Sequence, residues 1–314
     1  VSRVARALAA AALPLVTAAA LAWFVVSPAG LAPAGPFPTR VLTLDSASAS
    51  NLESLFAGFG YTWPPQDTVP PVSLAHLPDD LAGLQPATRK GVFLRLMLPL
   101  VIAANNGIRR ERHYIVRRLR RDGPVTPRLR SLKKKYRVAG SLADAGPRRA
   151  LLRRCDTVPA GLVLAQAAKE SGWGTSTFAR DANNLFGVWT WNEEAGITPM
   201  RRSPGAHHLV RAYPDLRASV RDYLYNLNVG HAYQAFRRAR ARARAAGHAP
   251  SASGMAATLK QYSQRRGVYT SRLEALIRQN GLDALGGLHL VPLSRVAAAG
   301  HSPIQGNSAR LKSQ

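Results

Sequence analysis

At 314 residues the chain has room for one large domain, or two small ones, with a sizeable core. Its 43 Lys and Arg outnumber 17 Asp and Glu, leaving a formal charge of +26 and a surface drawn to polyanions by an attraction that salt weakens. The single cysteine, Cys155, excludes an intrachain disulfide and a cysteine-built metal site, and its apolar surroundings predict quiet packing. His207-His208 and His231 have no acidic neighbours at ligand spacing, so neither a metal nor a cofactor is expected.

In chain order, the first feature is an apolar run, Ala7–Val26, behind Arg3 and Arg6. About 20 apolar residues span a bilayer, and leading basic residues favour a cytoplasmic start. A cleaved signal is the rival reading, with small residues around Ser27-Pro28-Ala29 and Ala32-Pro33-Ala34. Either reading exports the remainder, so the expected location is the cell envelope: anchored in the inner membrane with the domain in the periplasm, or secreted there. Residues 1–90 carry five basic and five acidic side chains, so the whole excess lies later, with thirteen Lys and Arg between Ile108 and Arg137. Nucleic acid is the usual partner for such charge. Export favours an anionic wall or phospholipid surface instead, and no nucleic-acid partner is expected.

Residues 27–88 hold Pro64-Pro65, Pro70-Pro71 and a Ser/Ala patch, which suit neither helix nor sheet interior. They read as a spacer whose second half packs on the domain through Phe59, Tyr61 and Trp63. From Arg89 the spacing turns helical. Val92–Ala104 reads as a buried helix bent at Pro99, and Asn106–Arg121 as a second helix with outward arginines. Thr126-Pro127 opens a short basic helix, and another carries Leu151 and Leu152. The only strand-like region follows: Phe186–Trp191 and His208–Tyr213 predict a small hairpin lobe joined by Gly196–Gly205. Helices resume after the cap Asp215, then near Tyr233–Ala246, Ser253–Tyr262 and Thr270–Asn280, the last ended by Gly281. The organisation predicted is a leader over 1–26, a spacer over 27–88, one mainly helical domain over 89–285 and a loose tail over 286–314.

Between these elements lies the most informative stretch, Leu164–Trp191. Asp156-Thr157-Val158-Pro159 starts a helix, with Thr157 or Val158 at the cap, and Gly172 and Gly174 end it. Glu170 therefore falls in its last turn, at the negative end of the helix dipole, with Trp173 near. The dipole, and desolvation if the indole covers the carboxyl, favour the protonated form, which suits an acid that protonates a leaving oxygen. An exposed glutamate at a helix end is the ordinary alternative.

The words around Glu170 are more specific than its position. ESGWGTS, then ANNLFG and VW, resemble the glucosaminidase domain of bacterial wall hydrolases, glycoside hydrolase family 73. RKGVFLRLMLPLVIAANNGIRRER, RRCDTVPAGLVLAQAAKESGWG and YSQRRGVYTSRLEALIRQNGL extend the likeness to the Bax branch of that group, over roughly residues 58 to 282. The resemblance implies a lysozyme-like, mainly α (α+β) fold and hydrolysis beside N-acetylglucosamine in peptidoglycan, with Glu170 as general acid. A lytic transglycosylase would share the fold, but its GLMQ-like and AYNAG-like words are missing. A non-catalytic wall-binding protein would keep the cleft without turnover.

Glycoside cleavage needs a second group on the opposite face, either a carboxylate or the substrate's acetamido group. Glu193 and Glu194, in the expected lobe, are the carboxylate candidates, against the plain alternative of a solvated turn. Asn183 and Asn184 have amides suited to N-acetyl groups, and Gly187 allows close backbone approach. Trp173, Phe186, Trp189 and Trp191 offer ring faces for sugars. The alternatives are a turn cap for the asparagines and core packing for Phe186. Tyr262 corresponds by resemblance to the tyrosine of a late YATDP-like word, although Thr-Asp-Pro is absent and the spacing to Tyr269 is one residue longer.

Overall fold

The computed structural model of the chain describes residues 41–44, 47–121, 123–198, 209–259 and 266–291. The apolar segment 1–26, the tail beyond 291 and Tyr262 lie outside the described residues. The described residues are mainly helical with small sheets, in keeping with the predicted class.

Of the stretch that reads as a spacer, the described residues from Val41 on are built into the core. They hold β1 (Leu42–Leu44), α1 (Ala49–Gly58), β2 (Thr68–Val69) and β3 (Val72–Leu74), with β1 and β3 paired in parallel. Ser48 caps α1 by accepting from the amide of Asn51, and Leu52 and Phe56 then turn inward beside Leu44, Tyr61, Val72 and Leu74. Strands of two or three residues beside prolines are too short to show a period, and they pair with chain that is remote in sequence. The expectation of a single strand region is corrected accordingly.

Where the sequence reads as two helices, α2 (Pro86–Leu119) runs unbroken for 34 residues. The expected break at Asn105 is absent because that side chain is buried and satisfied: Nδ2 donates to the Val158 carbonyl at 2.8 Å and Oδ1 accepts from its amide at 2.9 Å. By length and composition α2 could cross a membrane, yet 83% of its apolar window is buried in protein. Over Val92–Ile108 it is the core helix, apolar nearly all round because it is covered nearly all round, while its arginine-rich C-terminal turns are largely exposed or half-buried.

Next come α3 (Pro127–Lys135), capped by Thr126 as predicted, and α4 (Ala145–Arg154). α5 (Ala160–Ser171) has Pro159 at its cap, where the sequence reading places Thr157 or Val158. Every residue from Gly161 to Ala168 is buried, so α5 is the second axis of the core. α6 (Thr177–Ala182) leads to β4 (Trp189–Thr190), β5 (Gly196–Ile197) and β6 (Leu209–Arg211). The predicted lobe is present, but it is a three-stranded antiparallel sheet in the order β4-β6-β5, the extra strand coming from the connector.

Asp215 caps α7 (Leu216–Val229) by accepting from the Ala218 amide at 2.6 Å. α8 (Gln234–Ala245), α9 (Ala252–Ala256) and α10 (Arg266–Gln279) complete the helices, and α10 starts earlier than its sequence suggests. A 3₁₀ turn at Leu282–Leu285 and β7 (His289–Leu290), which pairs in parallel with β2, close the chain over α5. Gly161 makes that closure possible, since a Cβ there would sit 2.1 Å from the Leu282 carbonyl oxygen.

The N-terminal end of α5 is held by charge. Asp156 is buried, and its carboxylate meets Arg244 at 2.6 Å, Arg240 at 3.7 Å and Arg112 at 4.0 Å. Arg240, fully buried, also donates to the carbonyls of Arg153, Asp156 and Thr157. These arginines serve the last carbonyls of α4 and the approach to α5, so part of the basic excess is structural.

Candidate active site

α5 ends where the sequence places its end. Gly172 adopts φ +59°, Trp173 φ +60° and Gly174 φ +83°, a left-handed run that glycine eases at two of the three positions. Ser171 ties the turn together, donating to the Ala167 carbonyl at 2.6 Å and accepting from the Gly174 amide at 2.9 Å. A Cβ on Gly174 would lie 2.9 to 3.2 Å from Leu81, Phe93 and Leu77, so this turn packs directly against the segment before α2 and against α2 itself.

Glu170 projects from the last turn of α5 with its side chain 15% exposed. Tyr269 of α10 donates to Oε1 at 2.9 Å, and the Lys169 ammonium stands 3.7 Å from the same oxygen. Burial pushes the Glu170 carboxyl above its ordinary value, while Lys169 and the Tyr269 hydrogen bond oppose the rise. The desolvation the sequence suggests is thus present. The Trp173 indole packs edge-on against Phe93, ring centres 6.1 Å apart, with the Lys90 ammonium over its ring. The groups near enough to feel the Glu170 charge include the phenols of Tyr269, Tyr223 and Tyr233.

Tyr269 is a partner of Glu170 that the sequence does not single out. In the word YSQRRGVYTSRL the resemblance points to Tyr262. The two tyrosines lie seven positions apart, and only the docking of α10 on α5 brings Tyr269 to Glu170. Burial and the nearby carboxylate push its phenol well above the usual range, so it stays protonated and donates.

The asparagine pair is turned inward. Asn183 takes a left-handed cap conformation at the end of α6, is buried, donates to the Tyr213 carbonyl at 3.0 Å and pairs with His76. Asn184 is also buried; Nδ2 donates to the carbonyls of Val188 and Arg211, and Oδ1 accepts from the Val188 amide at 2.9 Å. The amides that suit a sugar are therefore spent on bracing the turn against β6. Phe186 is buried and stacks on Tyr223 with ring centres 3.9 Å apart and planes 4° from parallel, which is the core alternative.

The exposed side of the lobe carries the remaining candidates. Gly187 has φ +64° and open space where a Cβ would be, Trp189 is half-buried on β4, and Trp191 is 56% exposed. Glu193 and Glu194 stand exposed in a 3₁₀ turn between β4 and β5, with Asn192 accepting from the Glu194 amide. No hydrogen bond or ion pair among the described residues ties either carboxylate to Glu170.

Residues 149–282 match the glucosaminidase family, described as mannosyl-glycoprotein endo-beta-N-acetylglucosaminidase. Protein bax of Escherichia coli (strain K12) is 34% identical over 198 residues, covering 61% of this chain and 70% of that protein. No solved structure matches.

Proposed function

The chain belongs to the Bax-like glucosaminidase-domain proteins, and from that premise we propose that it is a peptidoglycan hydrolase, an endo-acting beta-N-acetylglucosaminidase that cuts the glycan strand beside N-acetylglucosamine. The observation that carries this reading is Glu170: a largely buried carboxyl whose proton affinity is raised, one edge open and one oxygen held by Tyr269. Such a group holds its proton more tightly than an exposed carboxyl does and can pass it to the leaving glycosidic oxygen. Once it has done so, Lys169 and Tyr269 stabilise the carboxylate that remains.

The opposite face of the sugar needs a second group. Glu193 or Glu194 serves if substrate draws the lobe toward Glu170; otherwise the substrate's acetamido group attacks from within. Trp189, Trp191 and Gly187, on the outer side of the lobe, are the proposed sugar contacts. An exported domain would meet this polymer in the cell envelope, and its positive charge would hold it to an anionic wall.

Mass spectrometry of the fragments released from purified sacculi identifies the bond that is cut. A high-mannose glycoprotein treated in parallel tests the other substrate class with internal N-acetylglucosamine. The expected products are muropeptides with a reducing N-acetylglucosamine end. Glu170→Gln should bind sacculi as wild type does while turnover falls about a hundredfold to ten-thousandfold. Equal turnover in that variant would remove Glu170 from the role of acid. Binding without cleavage by wild type would favour a wall-binding protein.

A further inference from the structure

Behind Glu170, four side chains form a hydrogen-bond chain with a single direction. The Tyr223 hydroxyl on α7 donates to Gln166 Oε1, Gln166 Nε2 donates to the Tyr269 hydroxyl at 3.0 Å, and Tyr269 donates to Glu170 Oε1 at 2.9 Å. Gln166 lies one helical turn before Glu170, so both project from the same side of α5, and it is fully buried. A carboxamide has chemically distinct ends. Its oxygen takes the hydrogen of Tyr223, so its nitrogen faces Tyr269 and can only donate. The Tyr269 oxygen is thereby occupied as an acceptor, and its own hydrogen is directed at Glu170. Lys169 reinforces the arrangement, lying over the Tyr269 ring at 4.4 Å and near the same carboxylate oxygen.

We propose that Gln166 is a positioning residue that sets the direction of this chain, so that Oε1 of Glu170 is always an acceptor and the transferable proton is carried on Oε2. The proposal rests on the reading of Glu170 as the acid. In the transfer, the Oε2–H bond breaks, a bond forms from that proton to the glycosidic oxygen, and the negative charge left on Glu170 is already met at Oε1. The far end of the chain is anchored as well: Tyr223 stacks on Phe186, which ties the Asn183–Gly187 turn to the orientation of the acid. Among the described residues, the titratable groups facing Glu170 are Lys169 on α5, Tyr269 on α10, Tyr223 on α7 and Tyr233 just before α8. Of these, Tyr269 and Lys169 bond the carboxyl directly.

The test follows the Glu170 carboxyl by carbon-13 NMR titration in the full chain, assigned against Glu170→Gln, together with the pH profile of sacculus cleavage. Gln166→Glu replaces the donor end with an acceptor, Tyr223→Phe removes the first donor, and Tyr269→Phe removes the last. In all three the Glu170 pKa should rise, because the charged form loses a directed hydrogen bond, and the alkaline limb of kcat should move to higher pH with it. On the acid plateau kcat should fall about tenfold with KM near wild type, the cost of one charge-assisted bond. If Gln166→Glu does not fold, Tyr223→Phe, a milder deletion, carries the test. An unchanged Glu170 titration in Gln166→Glu and Tyr223→Phe, with a shift only in Tyr269→Phe, would overturn the directed chain. A shifted titration combined with full activity of Glu170→Gln would instead leave the chain standing and remove the acid assignment.

Discussion

Gly161→Ala separates local propensity from tertiary packing by the sign of its effect. Glycine inside a helix costs up to about 1 kcal/mol relative to alanine, so α5 viewed alone should gain from the change. In the fold, the new Cβ lies 2.1 Å from the carbonyl oxygen of Leu282, 2.7 Å from its carbonyl carbon and 3.0 Å from its Cβ. Ordinary contact begins near 3.4 Å, so the two segments must separate by about 1.3 Å. The obstacle is backbone in the 3₁₀ turn Leu282–Leu285, and it has no rotamer to escape into. Overpacking in a close-packed core costs about 1–3 kcal/mol, and a backbone clash belongs at the upper end. The net expectation is a loss of about 2 kcal/mol, which lowers the urea midpoint by about 1 M for a typical m-value. Urea titration followed by circular dichroism measures it. A midpoint equal to or above that of wild type would refute the close approach of the turn to α5 as a determinant of stability.

Three further perturbations test how the domain is held. Asp156→Asn keeps the shape but leaves buried Arg240 without its counter-charge, so unfolding free energy should drop by about 3 kcal/mol. Arg244→Met, a removal at the half-exposed end of the same cluster, should cost less in a parallel denaturation series. A fragment limited to 149–282, the span of the family match, strips α5 of α2 and strips Gly174 of Leu77, Leu81 and Phe93. It is expected to be insoluble, or to bind hydrophobic dyes without a cooperative melt. A soluble fragment with a sharp unfolding transition would show that the N-terminal half is dispensable.

The features legible in the sequence are those encoded over a few neighbouring residues. Thr126 and Asp215 cap their helices because a side-chain oxygen needs to reach only three residues ahead. Gly172 and Gly174 end α5 because that turn needs positive φ, so neighbouring residues alone place Glu170 in the last turn. The antiparallel pairing of Trp189–Thr190 with Leu209–Val210 follows from two short aromatic and branched segments facing each other across a connector. Everything that depends on which distant segment arrives lies beyond that reading. Asn183 and Asn184 have amides that suit a sugar equally well, and only the carbonyls of Tyr213, Val188 and Arg211 arriving beside them turn both into braces. The Pro-rich stretch after residue 40 carries no period, yet it enters the core because β1 and β2 each find a remote strand to complete. Tyr262 and Tyr269 are the same residue type in the same short word. That Tyr269 donates to Glu170 comes from the phase and docking of α10, since a hydrogen bond needs two atoms within about 3 Å while the sequence supplies only their separation along the chain.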